Sequence, residues 1–393
     1  MNQKFISFSP PLMGKEEIAG AVQALKSGWL TTGPQTKQFE ENFKKYVHAE
    51  AALAVNSCTA ALHLALIALK IGPGDEVLTT PVTFCSGVHV IEHVGARPVL
   101  ADVERETLNI DPRCADKILK NLRRRKKIKA IIVVHYAGHP CRMDALMKLS
   151  KKYRVPVIED AAHAFPAKYK GKMIGSSKNL TAFSFYATKN ITTGEGGMLT
   201  GPKPLVDRAR VMSLHGMNRD AWKRYSAKGS WFYEVIDAGY KYNLTDIQSA
   251  IGLAQLKKMK QFHARRRDIV KKYQRAFSKF AAVETPVECS EVESAWHLYP
   301  IRLHLNRLRI SRSRLIEELK RRGVGASVHF IPIHLHPYYR KKYGWRADAF
   351  PVAYREYQRL VSLPLSPAFT DAQVARVIKA VQEILKKYSR SLL

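Results

Sequence analysis

The sequence predicts an α/β fold, in which a doubly wound, mainly parallel seven-stranded sheet is flanked by helices and followed by a smaller α+β domain. Over the first two thirds of the 393 residues, short apolar runs alternate with helical stretches. This alternation is typical of parallel sheets with crossover helices. After about residue 243, one long helical stretch replaces it. We therefore predict a large domain at residues 1–255, which includes an N-terminal arm, and a small C-terminal domain at residues 256–393.

Seven short apolar runs supply the predicted strands. They lie at residues 51–55, 76–79, 98–103, 130–135, 155–159, 181–185 and 197–200. Helices are predicted between several of them, at residues 60–69, 112–125 and 144–153. In the first helix Leu62, Leu66 and Leu69 follow helical spacing, and Gly72 with Pro73 stops it. Because ligands bind beyond the carboxyl ends of the strands in such sheets, candidate site residues are expected there.

The last third of the chain predicts a second, smaller unit. A helix from residue 244 to about residue 280 links the two domains. It is followed by a strand at 296–303, a helix at 311–322, a strand at 326–331 and a closing helix at 371–388. Thr370 and Gln373 have the spacing of a capping box, which starts the closing helix.

The chain is strongly basic, with 65 Lys and Arg against 33 Asp and Glu and a formal net charge of +32. A charge of this size is compatible with binding to nucleic acid or to an anionic membrane. The clusters are spread along the chain, however, at residues 123–127, 265–267, 320–322 and 340–342. Basic runs in amphipathic helices are usually solvated faces. We interpret most of the surplus as surface, part of which attracts polyanionic small molecules, and predict no nucleic-acid partner.

The N-terminal segment contains no apolar stretch long enough for a signal peptide, and no apolar run approaches the length of a membrane span. A cytoplasmic location is therefore expected. The five cysteines are scattered and form no CxxC pair. This pattern favours neither a disulfide framework nor a metal site.

Two segments at predicted strand ends contain candidate residues for binding an anion and an aromatic ring. The segment at residues 56–61 leaves backbone N–H groups at a helix N-terminus, which is an anion site or simply a helix cap. Asp160 ends another strand, where a carboxylate can bind a metal ion or hold a pyridine nitrogen protonated. The chain lacks the GxxxxGK[ST] loop of an NTPase. His163 can donate to a ring hydroxyl or be a satisfied core histidine.

Two further segments complete the candidate set. Lys189 follows a strand, is preceded by Ser184 and is followed by a glycine-rich turn at residues 194–197. A lysine amine beside a carbonyl forms an imine and so acts as a covalent catalyst. The polar and aromatic segment at residues 239–243 opens the long helix, and Asn243 can also be read as its cap.

These motifs together resemble the DegT–StrS family of sugar aminotransferases, which are pyridoxal phosphate (PLP) enzymes of the aspartate-aminotransferase fold (PLP fold type I). The likeness covers nearly the whole chain, through residues 27–34, 80–84, 157–163, 184–197, 239–246 and 329–334. Residues 135–138, 189–192 and 239–246 look closest to enzymes that make UDP-4-amino sugars, especially UDP-4-amino-4-deoxy-L-arabinose aminotransferase of lipid A modification in lipopolysaccharide biosynthesis. The large domain is then the PLP-binding domain.

The resemblance implies a role for each candidate. Lys189 links to the cofactor and moves the proton, Asp160 pairs with the pyridinium nitrogen, and His163 meets the ring hydroxyl. The remaining cofactor contacts implied are ring stacking by Phe84, phosphate binding by Thr59, Ala60 and Ser184, and a phosphate contact across a homodimer by Asn243. The residues implied on the sugar-nucleotide side are Trp29, Thr31, Lys241 and His329. Some relatives carry histidine in place of the lysine and are dehydratases, so Lys189 favours transamination.

The predicted reaction is amination of a UDP-linked 4-keto sugar, with glutamate as the donor. Other keto sugars stay open, namely a UDP-4-keto-6-deoxy-N-acetylhexosamine and a TDP-3-keto sugar. Two functions of another class also stay open: a basic nucleic-acid-binding protein and a PLP-bound regulator without catalysis, since fold alone does not fix function.

Overall fold

The computed structural model describes residues 4–121, 126–218 and 232–390. Residues 123–125 of the basic cluster at 123–127, and the end of the predicted helix 112–125, lie outside the described residues.

The central sheet has seven strands in the order β1-β9-β8-β5-β4-β2-β3. Its strands are β1 (Ala51–Val55), β2 (Glu76–Thr79), β3 (Arg97–Leu100), β4 (Ile128–Val134), β5 (Val157–Asp160), β8 (Leu180–Ser184) and β9 (Gly197–Gly201). Pairing is parallel from β3 to β8, and β9 runs antiparallel to both of its neighbours. The predicted mainly parallel seven-stranded sheet is confirmed.

Helices cover both faces of this sheet, which explains why its strands read as continuous apolar runs. The helices before the long one are α1 (Lys15–Lys26), α2 (Pro34–Val47), α3 (Cys58–Ala68), α4 (Ser86–His93), α5 (Pro112–Lys120), α6 (Met143–Tyr153) and α7 (Lys203–Ser213). A small sheet of β6 (Lys168–Tyr169), β7 (Lys172–Met173) and β11 (Val292–Glu293) lies apart from the central one.

The predicted long helix is α8 (Asp246–Phe277). It starts at a capping box in which Thr245 accepts from the Gln248 amide and Gln248 accepts from the Thr245 amide. The buried Asp246 carboxylate accepts from backbone N–H groups at the start of α2 and from Thr36 Oγ1. These bonds fix the segment before α2 against the segment before α8.

The C-terminal elements are α9 (Arg312–Arg321), α10 (Pro337–Tyr343), α11 (Pro351–Arg359) and α12 (Asp371–Tyr388), with a sheet in the order β10 (Val283–Glu284), β12 (Tyr299–Leu303) and β13 (Leu360–Leu363). The capping box predicted at Thr370 and Gln373 is confirmed. Their apolar core includes Ile6 from the N-terminal segment, which bridges Val324. The boundary between residues 255 and 256 stays a prediction.

The predicted strand at 326–331 is wrong. Ser327 makes one isolated bridge to Ser362 of β13, and the chain then turns away. The His329 carbonyl accepts from the Tyr136 hydroxyl over 2.5 Å, and Pro332 has no N–H to donate to a ladder. From His329 onward the stretch therefore lies beside the turn that follows β4 instead of extending the small sheet.

No helix in the described parts of the chain is both long and apolar enough to cross a membrane.

Candidate active site

A cavity of about 590 Å³ opens where β4, β5 and β8 end and α3 begins. The structure brings seven sequence-predicted residues to its wall: Thr59, Phe84, Asp160, His163, Ser184, Lys189 and His329. The position matches the expectation that a parallel sheet binds ligands beyond the carboxyl ends of its strands.

Five predicted residues lie outside this cavity within the described part of the chain: Ala60, Trp29, Thr31, Lys241 and Asn243. The Ala60 amide donates to the Ser57 side chain and so helps to cap α3. The Asn243 side chain donates to Thr32 Oγ1 over 2.8 Å. Trp29 also bonds to Thr32, through its ring N–H and the Thr32 carbonyl. Trp29, Thr32 and Asn243 are therefore bonded into one unit outside the cavity wall of their own chain.

Lys189 lies in a turn that is held on both sides. Its amide donates to the Tyr186 carbonyl over 2.9 Å. The Thr188 carbonyl accepts from the buried Ser9 hydroxyl over 3.1 Å. Asn190 is buried, and its side chain donates to two backbone carbonyls. The backbone of the lysine is fixed while its partly buried side chain reaches the cavity.

Burial sets the acid–base state of the two central groups. It lowers the pKa of Lys189 to about 8, whereas Cys58 and Asp160 act to raise it. Burial raises the pKa of Asp160, opposed by the Ala162 amide, which donates to Oδ1 over 3.0 Å, and by the charge of Lys189. An amine with a pKa near neutrality is suited to proton transfer at working pH.

A buried network lies behind Asp160. Glu159 accepts from His135 Nε2 over 3.0 Å, from Ser177 and from Asn179. Because the Cys141 amide donates to His135 Nδ1, the ring proton of a neutral His135 lies on Nε2. Burial raises the pKa of Glu159, but these hydrogen bonds outweigh it and the pKa is lowered. The end of β5 is therefore rigid.

Anion-binding groups lie at the start of α3. Ser57 caps the helix, and the first intrahelical bond runs from Ala61 N–H to the Ser57 carbonyl. The N–H groups of Cys58 and Thr59 precede that bond and lie at the positive end of the helix. A Cβ at Gly197 would lie 2.5 Å from the Ser57 carbonyl carbon, so only glycine lets β9 pack this closely.

The cavity also carries histidines and aromatic rings. His163 packs on His297 at 4.5 Å and on Phe330 at 5.7 Å between ring centroids. His329 stacks on Phe8 at 4.9 Å. Burial, and then the charge of Lys189, lowers the pKa of all three histidines, that of His329 to about 4. All three are neutral at physiological pH.

Comparison with known proteins decides the family. The model of the DegT/DnrJ/EryC1/StrS aminotransferase family matches residues 11–382. The chain belongs to this family. The enzyme is 48% identical to the spore coat polysaccharide biosynthesis protein SpsC of Bacillus subtilis, over 97% of each chain.

Solved structures agree with this placement. Spr1654 of Streptococcus pneumoniae in its PLP form superposes with a TM-score of 0.89 and 34% identity, over 98% of this chain and 99% of that one. Helicobacter pylori PseC, an aminotransferase involved in pseudoaminic acid biosynthesis, gives a TM-score of 0.89 at 28% identity, over 98% and 100% of the two chains. The enzyme is thus a PLP-dependent sugar aminotransferase, which confirms the predicted fold, cofactor and enzyme class.

The residues of the cavity fit pyridoxal phosphate. An amine and a carboxylate share one wall, and helix N–H groups beside Gly197 suit a phosphate. Two buried polar atoms of cavity residues, His163 Nδ1 and Thr83 Oγ1, have no hydrogen-bond partner among the described residues. Buried polar atoms are normally hydrogen-bonded, so these two atoms indicate a wall that binds a polar ligand.

Sequence reasoning missed several residues of the cavity wall, among them Phe8, Thr83, Tyr186, Glu195, His297 and Phe330. Phe8 and His297 are far from the predicted motifs in sequence and reach the cavity only through tertiary packing. Thr83, Tyr186, Glu195 and Phe330 lie within the segments that carry the resemblance, and this adjacency to the named site residues was the available signal.

Proposed function

We propose that this aminotransferase converts a UDP-linked 4-keto sugar into the 4-amino sugar, with glutamate as the amino donor. The observation that carries the proposal is the meeting of Lys189, Asp160 and His329 in one cavity. Lys189 and Asp160 supply the groups of amino transfer. His329 and the resemblance of residues 27–34 and 239–246 to UDP-4-keto sugar aminotransferases support the substrate.

Pyridoxal phosphate, when bound, supplies an electron sink for the carbon that gains or loses the amino group. In the proposal, Ser184, Thr59 and the start of α3 hold the phosphate, while Asp160 keeps the ring nitrogen protonated. Lys189 would be the covalent anchor, and its amine, with a pKa of about 8, would take and return the proton. His163 is a neutral partner for the ring hydroxyl.

Aromatic side chains form part of the cavity wall. Phe84 is 60% exposed in the single chain and lies 6.0 Å from Phe330 between ring centroids. In the proposal Phe84 stacks on the cofactor ring and becomes covered. The remaining apolar side chains, Phe8 and Phe330, favour a sugar in which a methyl group replaces a hydroxyl. This wall supports the second candidate substrate, a UDP-4-keto-6-deoxy-N-acetylhexosamine, beside the pentose-derived 4-ketone.

The proposal includes a homodimer with shared active sites. The unit formed by Trp29, Thr32 and Asn243 lies outside the cavity wall of its own chain, as residues that serve a partner's cavity would. Helix α1 exposes an apolar stripe of Ile18, Val22 and Leu25, which are 63%, 41% and 54% exposed. Exposed apolar stripes of this kind are typical of subunit interfaces.

Mixing two inactive variants tests the shared site. Lys189→Ala and Asn243→Ala subunits are mixed in equal amounts and either refolded together or allowed to exchange. The mixture should regain about one quarter of wild-type turnover, because half of random dimers are heterodimers and each heterodimer has one intact site of two. Turnover of the mixture against the separate variants is the measurement. As a matched control, Lys189→Ala mixed with Asp160→Asn should regain nothing, because both residues serve the same site. Exchange of subunits without recovery would refute the placement of Asn243 in the partner's cavity.

The substrate is tested with three keto sugars and ¹⁵N-glutamate. We expect amination of a UDP-4-ketone, either pentose-derived or 6-deoxy-N-acetylhexosamine, with ¹⁵N at C4 by mass spectrometry and NMR. Omitting glutamate should leave at most one turnover per active site. Fast amination of a TDP-3-keto sugar, with both UDP-4-ketones refused, would overturn the proposed substrate and leave only the sugar aminotransferase class.

A further inference from the structure

Asn190, the residue after Lys189, has an orientation fixed by its neighbours. Its Nδ2 donates to the Phe165 carbonyl over 2.9 Å and to the Ala295 carbonyl over 2.8 Å. Both hydrogens of the amide are therefore used, and Oδ1 faces the other way as an acceptor. The side chain is buried, so this acceptor needs a donor within the protein.

That donor is His297. Its Nδ1 lies 3.3 Å from Asn190 Oδ1. Because an amide oxygen only accepts, the proton of the neutral ring lies on Nδ1, and Nε2 is left as an acceptor. His297 also lines the cavity and packs on His163 at 4.5 Å. One imidazole thus contacts both the turn that carries Lys189 and the ring of His163.

The backbone of His297 is itself anchored. Its amide donates to the Ala137 carbonyl over 3.0 Å. The carbonyls of Trp296 and His297 lie 3.3 and 3.4 Å from Nη1 of Arg266, a fully buried cation of α8. The backbone of His297 is therefore fixed, and the hydrogen bond of its imidazole fixes the position of the Asn190 side chain in turn.

We propose that His297 is a positioning residue of the active site, which fixes the Lys189 turn through the Nδ1–H bond to Asn190 and sets the ring of His163 by packing. This inference rests on the proposed role of Lys189. The bond matters because the lysine must return repeatedly to one position while its side chain moves. Loss of the donor leaves Asn190 Oδ1 buried without a partner, and the turn loosens.

Three variants of the full-length holoenzyme test this proposal. His297→Asn keeps an N–H near the place of Nδ1, His297→Gln carries its amide one carbon further, and His297→Leu has no donor. The matched control is His263→Leu, since His263 bonds the nearby Ser294 carbonyl but lies outside the cavity. The measurements are kcat, KM and hydrogen exchange of the Lys189 amide, which donates to Tyr186.

For His297→Leu and His297→Gln we expect kcat to fall and Lys189 exchange to speed up, each by about tenfold, with KM little changed. His297→Asn should stay within about threefold of the wild type in both, and the control variant likewise. Unchanged kcat and exchange in His297→Gln would overturn the proposal. So would Lys189 exchange as fast in the Asn variant as in the Gln variant, because the donor would then be irrelevant to the turn. Borohydride fixation of the cofactor on another lysine would instead refute the role of Lys189, and the exchange result would remain readable.

Discussion

Replacing Lys189 by alanine is expected to lower turnover by about 10⁴-fold or more, because the reaction loses both its covalent anchor and its proton carrier. Among the described residues that line the cavity, Lys189 carries the one amine. The turn itself should survive, since it is held by backbone and by side chains of Ser9 and Asn190. Steady-state amino transfer measures the loss, and circular dichroism checks that the fold is retained.

Lys178→Ala is the matched control, because Lys178 is exposed and lies in the same stretch of chain. It should keep wild-type turnover. Borohydride reduction of the wild-type holoenzyme should fix the cofactor on the peptide that contains Lys189, and on no peptide of the Lys189→Ala variant. If Lys189→Ala retained turnover within about tenfold of the wild type, another amine would have to do the chemistry.

The central sheet was predictable because its strands are buried on both faces and separated by helices, so each strand appears as an isolated apolar run. The strands of the C-terminal sheet were harder to predict. The strand at residues 326–331 was expected from its apolar residues, but Phe330 lines the cavity, Ile331 is exposed and Ala326 packs on the C-terminal core. The true edge strand, Leu360–Leu363, directly follows α11. There an apolar run does not distinguish the end of a helix from a strand.

Cavity residues were predictable where they follow strands, since the topology gathers strand ends at one edge. Asp160, Ser184 and Lys189 are of this kind. His297 is not, because its place in the cavity depends on Asn190 and on a buried arginine of α8. Trp29 and Asn243 were named from resemblance, and their own chain places them outside the cavity. Residues that complete a partner's cavity cannot be recognised from strand ends, because the topology of one chain does not gather them at its own site.

Asp160→Asn is expected to lower turnover by about a thousandfold, the effect of about 3–5 kcal/mol for removing one member of a buried charge pair, provided the loss appears in the transition state. The amide oxygen can still accept from the Ala162 amide, as Asp160 Oδ1 does over 3.0 Å. The end of β5 should therefore keep its shape, because the bonds of Glu159 behind it are untouched. What disappears is the negative charge that would hold the ring nitrogen of the cofactor protonated, so the electron sink weakens while the phosphate contacts remain.

The different effects expected on cofactor affinity and on kcat can be measured. Cofactor affinity, titrated by fluorescence, should change far less than kcat in Asp160→Asn. Asp207→Asn is the control, since Asp207 pairs with Lys203 on the surface of α7 and should leave both quantities unchanged. A near-normal kcat in Asp160→Asn would show that another group holds the nitrogen proton. A loss of cofactor affinity with kcat unchanged at saturating cofactor would mean that Asp160 serves binding alone, because an interaction made only in the transition state lowers the rate without weakening the ground-state complex.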